Sequence, residues 1–229
     1  MAYTLGDLFT AVRDRSAYFD KARVPRGPLM RTATDVQRDL LRKAAQRAPD
    51  AFTATTTVAL TQPVTTGTPI TLPAYLEVIR VETDFTGASP KPEPTALIPV
   101  SRIYDYQHNR GVYLLNGSLY LTGESTDWST VAQLTVYYLP LPVPFAAETD
   151  NWTLPDDAHD VFTARVALMA ALRVNGTPVD NERPTSPPIQ IDVGAFQSFS
   201  QEAEYQWMKA LTTQVRQARV ANRSSVSAP

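Results

Sequence analysis

Apolar residues recur along this chain at two different periods, and the change of period divides it into blocks. Leu5, Leu8, Phe9 and Val12 fall at i, i+3, i+4 and i+7, which lines one face of a helix. Thr4 stands in the N-cap position, and Asp7, three residues on, completes a capping-box pattern. This helix is expected to fade before Val24-Pro25-Arg26-Gly27-Pro28. A second helix is predicted to begin near Thr32 or Thr34. It carries Val36, Leu40, Leu41, Ala44, Ala45 and Ala48 on one side, and Pro49 stops it.

From residue 51 the period shortens to two, and β-branched residues and prolines replace the helical stripe, as half-buried antiparallel strands require. Strands are predicted at 54–61, 68–72, 75–83, 95–103, 112–115, 118–122 and 131–139. The sharpest local signal is Asn116-Gly117 between Val112–Leu115 and Ser118–Leu121, because this pair supplies the positive φ angles of a type I′ hairpin turn. Gly87–Pro94 is predicted to be an exposed loop, since each of its prolines removes a ladder donor.

Helical periodicity returns behind Leu154-Pro155. Asp156, Asp157 and Asp160 occupy a first turn, where the helix dipole favours anions, and Val161, Phe162, Leu168, Met169 and Leu172 form a wide apolar face up to Asn175-Gly176. Residues 177–194 read as a long extended loop, too proline-rich for regular structure and too polar for a core. A last, long helix is predicted from about Gly194 to about Arg219, followed by a short tail. The fold class expected is α+β. A four-helix bundle from 1–50 and 153–221 carries an antiparallel β domain, 51–152, inserted between the second and third helices, and 222–229 form a flexible tail.

Composition narrows the chemistry. The chain has no cysteine, which excludes a disulfide framework, a thiolate metal site and a cysteine nucleophile. Its start lacks a basic and apolar leader pattern, and no apolar stretch approaches the length of a membrane span, so the expectation is a product kept in the cytoplasm. Charge is uneven: residues 1–50 hold 10 Lys/Arg against 6 Asp/Glu, 51–160 hold 4 against 12, and 161–229 hold 7 against 5. Only His108 and His159 are available as histidine ligands, so Asp156-Asp157-Ala158-His159-Asp160 lacks the further histidines that a metal hydrolase would need. No nucleophile elbow or phosphate-cradling loop occurs. No catalytic, metal or cofactor residue is therefore assigned. Arg38, Arg42, Lys43 and Arg47 recur at helical spacing as a basic face, to be weighed as a DNA stripe or as a solvated or subunit-facing surface. Tyr104, Tyr106, Tyr113, Tyr120 and Trp128 offer an alternative, a secreted or virion-surface carbohydrate-binding or protein-binding β module.

Four stretches carry a resemblance. They are Leu40-Leu41-Arg42-Lys43-Ala44-Ala45-Gln46-Arg47; Ile70-Thr71-Leu72-Pro73-Ala74-Tyr75-Leu76-Glu77-Val78-Ile79-Arg80-Val81; Val136-Tyr137-Tyr138 leading through prolines and acidic residues to Leu154-Pro155; and Glu202-Ala203-Glu204-Tyr205-Gln206. Their order resembles the bacteriophage head-tail adaptor, or connector, proteins. The resemblance implies a non-enzymatic subunit of the virion neck, assembled in the host cytoplasm as a ring of about twelve copies beneath the portal. DNA would pass through its channel without sequence-specific binding, and a tail or further neck protein would attach below. Candidate portal or subunit contacts are Phe199, Trp207, Arg216, Arg219, Arg223 and Val226 on the last helix and tail, with Pro187, Ile189 and Ile191 on the loop. The hairpin tip, Asn116 and Gly117, is the candidate tail-side contact. The loop and tail are expected to order on assembly, because neither reads as able to fold alone.

Overall fold

The structure, a computed structural model, describes residues 3–86, 92–106, 108–179, 183 and 185–226, with side chains through Val215 except that of Asp50. It is a mixed fold of α-helices and antiparallel sheets. The chain divides into two compact units: Met1–Pro49 with Pro142–Pro229, and Asp50–Leu141.

In the first unit, α1 (Leu5–Arg13) buries Leu5, Leu8, Phe9 and Val12, the four positions of its apolar stripe. Its capping box is formed: the Asp7 N–H donates to Thr4 Oγ1 at 3.2 Å, and the Thr4 N–H donates to Asp7 Oδ2 at 2.9 Å. The backbone N–H groups of Leu5 and Gly6, which have no partner within the helix, donate to the carbonyls of Asp150 and Glu148. A second helix, α2 (Arg26–Arg47), begins well before Thr32. Pro25 is its N-cap and Pro28 lies in its first turn, where a missing N–H costs no intrahelical bond. The prolines expected to end one helix open the next. A single turn, α3 (Pro49–Phe52), follows.

The chain returns to this unit at Pro142. After a 3₁₀ turn at Asp156–Ala158, α4 (His159–Val174) is apolar on nearly every side, and it touches α1, α2 and α5 (Val193–Val226). Ala164, Ala167, Ala170 and Ala171 are buried on it, and their small side chains let the neighbouring helices approach closely. The loop before α5 is more ordered than its composition suggests. Ile189 is 1% exposed, its N–H donates to the Thr177 carbonyl at 2.7 Å, and its own carbonyl accepts from Gly176. One apolar side chain and a short ladder pin the loop to the core, which corrects the expectation that 177–194 contributes nothing there. The last helix also runs past Arg219 to Val226, because no glycine or proline interrupts it.

The second unit holds two antiparallel sheets. One has the order β1 (Ala54–Ala59), β7 (Val131–Pro140), β3 (Tyr75–Phe85), β4 (Glu93–Thr95), and the other the order β2 (Ile70–Thr71), β6 (Ser118–Thr122), β5 (Gly111–Leu115). Their core gathers Val81, Val112, Leu119, Val131, Leu134 and Val136 around Trp128, whose Nε1 donates to the Thr122 carbonyl at 2.8 Å. Asn116 and Gly117 adopt φ of 50° and 80°, the hairpin turn expected from their identities. The strand expected at 95–103 does not form. Pro99 interrupts it, and Val100–Tyr106 winds into a 3₁₀ helix instead. Glu93–Thr95 pairs with β3 despite Pro94, as an edge strand allows. Residues 87–91 of the expected loop lie outside the described residues.

Candidate assembly surface

The longest element, α5, contains 34 residues and spans roughly 50 Å at 1.5 Å per residue. Ser200, Trp207 and Leu211 face inward and are buried, whereas Phe199 and Tyr205 are exposed. Its direction relative to α4 follows from two contacts. Glu204 meets Arg165, and Trp207 Nε1 lies 3.3 Å from Asp157 Oδ1, so residue numbers rise on α5 as they fall toward the start of α4.

Glu204 is the centre of the seam between α2, α4 and α5. It accepts from Lys43 Nζ at 2.7 Å and from Arg165, while Asp39 lies 3.4 Å from Lys43 Nζ and 3.7 Å from Arg165. Burial pushes the Glu204 carboxyl up, but the hydrogen bonds and charges of Lys43 and Arg165 outweigh it and hold the group below the ordinary glutamate range. Two cations and two anions alternating on three helices fix which helix faces meet. A basic face that reads as continuous in sequence is thereby divided: Lys43 turns into the seam, Arg38 lies 3.8 Å from Asp35, and Arg42 and Arg47 remain exposed.

The acidic turn at the start of α4 has a structural environment. The His159 ring lies 4.3 Å from that of Tyr3 and 5.4 Å from that of Trp152, in an aromatic group that ties the amino-terminal segment to α4. Among the described residues, no group of three or more His, Asp and Glu side chains is arranged to hold a metal ion, and no helix is long and apolar enough to cross a membrane.

Residues 3–228 match the SU10 adaptor protein family. The chain belongs to this family. Among curated proteins, none matches it. Membership makes this SU10-family adaptor a bacteriophage protein with a structural part in the virion neck, interacting with other head or tail components, and it implies a non-enzymatic chain.

The adaptor's predicted contact residues fall in different environments. Trp207 is 4% exposed and Ile189 1% exposed, both within the helical unit. Phe199 is 41% exposed, with the Arg15 guanidinium 4.5 Å over its ring. Pro187 is exposed, and its carbonyl accepts from the Val179 N–H; the Ile191 N–H donates to Asn175 Oδ1 at 3.0 Å. The backbone of α5 passes through Arg216, Arg219, Arg223 and Val226, whose side chains lie outside the described residues. Asn116 and Gly117 stand exposed at the hairpin tip. In the β unit, Trp128 is fully buried and cannot present its face to a glycan, and Tyr113 and Tyr120 stack on each other at 5.1 Å. The Glu204 seam was not legible in the sequence, because its members come from three helices. The Leu40–Arg47 and Glu202–Gln206 stretches marked the segments that hold Lys43 and Glu204 but not their pairing.

Proposed function

We propose that this adaptor assembles as a ring of about twelve copies beneath the portal, extends the DNA channel, and offers a new attachment surface to the next neck or tail component. The observation that carries this reading is the family match across residues 3–228. In this reading α1, α2, α4 and α5 act as one bundle that docks to the portal, and the inserted β unit offers the tail-side contact. The charge distribution agrees with such a division. Asp50–Leu141 holds four Lys/Arg against eight Asp/Glu, an excess of negative charge that keeps passing DNA from adhering. The exposed Asn116-Gly117 tip is the tail-side contact, and assembly takes place in the host cytoplasm. Sedimentation of the chain with the portal of the same phage tests the proposal. Co-migration at a mass that accommodates a full ring is the expected outcome, and independent sedimentation of the two proteins contradicts it.

A further inference from the structure

Beside the Glu204 seam, α4 and α5 leave an open groove of about 380 Å³ within the helical unit. Val161, Phe199, Ala203, Trp207 and Ala210 form its apolar floor, and Asp157, Asp160 and Glu202 form its rim. The rim carboxylates are engaged by weak or neutral partners. Asp157 accepts from Trp207 Nε1 and from Gln214 Nε2, Glu202 accepts from Gln206, and Asp160 meets His159 Nδ1 at 3.3 Å. Among the described residues, none of the three is ion-paired with a lysine or arginine. An apolar trough with three acidic groups at its edge suits an amphipathic segment that carries arginines.

The same chain contains such a segment. Gln214 still lies against Asp157, at the very start of the α4 region, so the antiparallel α5 carries Val215–Val226 beyond α4, a further twelve residues or about 18 Å. That arm contains Arg216, Arg219 and Arg223 at helical spacing, together with Val215, Val220 and Val226, and from Tyr205 to the last residue there is no Asp or Glu. The groove ends on α5 at Ala210, so the arm runs away from the groove of its own copy.

We infer that the groove between α4 and α5 receives the arginine-bearing α5 arm of a neighbouring copy, so that each subunit clasps the next. A groove on one face and an arm on another make a heterologous, head-to-tail contact, the kind that closes into rings. The inference rests on the ring reading above and adds the contact that holds the ring together.

Because the chain has no native cysteine, a single engineered pair reports the contact cleanly. The variant Glu202→Cys with Arg219→Cys is mixed with the portal, oxidised, and resolved by mass without reductant. The expected result is a ladder of disulfide-linked adaptor copies. A second arm uses charge: Asp160→Lys with Glu202→Lys is expected to lower the yield of rings on the portal roughly tenfold, because like charges then face each other. Adding Arg219→Glu and Arg223→Glu is expected to restore it, and far-UV circular dichroism checks that each variant is folded. Disulfides only within one copy, or only between adaptor and portal, overturn the inference while leaving a ring intact. Rings that form equally well with the reversed rim overturn it as well. If the unaltered chain forms no ring on the portal, the ring reading fails and this contact fails with it.

Discussion

Phe162 and Trp128 are both fully buried, one in the helical unit and one in the β unit, but their surroundings are built differently. Phe162 on α4 packs against Trp152 at 5.0 Å and Phe145 at 6.5 Å, and α4 itself packs on α1 and α2 from before the β unit. The helical core therefore exists only once chain segments flanking residues 50–141 have met, at an entropic cost set by closing that span. Trp128 by contrast anchors to Thr122, six residues away, and to strands of one uninterrupted segment. One unit is a closure of distant helices secured by a charged seam, and the other is a local sheet assembly secured by a single aromatic centre.

The largest effects should come from removing the two centres. Trp128→Ala and Phe162→Ala are each expected to cost roughly 3–5 kcal/mol. Hydrogen exchange should show protection lost first in β3, β6 and β7 for Trp128→Ala, and in α1, α2 and α4 for Phe162→Ala. Equal loss in both units from either variant would break the comparison.

At the hairpin, Gly117→Val forces a β-branched residue to φ of 80° and is expected to cost about 1–2 kcal/mol, read as a fall in the unfolding midpoint of the β unit. In the seam, Glu204→Ala leaves Lys43 and Arg165 sharing Asp39 alone and should lower helical-unit stability by about 1 kcal/mol, an effect that salt diminishes. The pH dependence has a definite sign. Because the folded Glu204 carboxyl titrates below its ordinary value, its contribution is complete above the ordinary glutamate range and is lost as pH falls through the lowered folded value. The variant should therefore flatten the acid limb of the stability curve, and an unchanged limb would show that the seam contributes nothing. The smallest effect is expected for Thr4→Ala, about 1 kcal/mol or less from loss of the α1 cap, measured by denaturant unfolding.

Local chemistry was legible in the sequence wherever neighbouring residues decide the outcome. Thr4 with Asp7 and Asn116 with Gly117 are complete within four residues and formed as expected. The start of α2 departs from the expectation because proline ends some helices and begins others, and the choice depends on backbone geometry that residues 25–28 do not declare. The burial of Ile189 depends on a ladder to residues 176–177 across a turn, and the Glu204 seam depends on three helices. Neither has a period or a spacing to reveal it. The groove beside the seam was hidden for the same reason: Asp160 and Glu202 approach only through the antiparallel pairing of α4 with α5.

The central claim is that this adaptor acts as a ring on the portal, and imaging of the chain mixed with the portal of the same phage, beside the chain alone, tests it most directly. The account predicts particles in which a ring of added density caps one end of the portal. Portal particles without added density, beside free adaptor monomers, would contradict it.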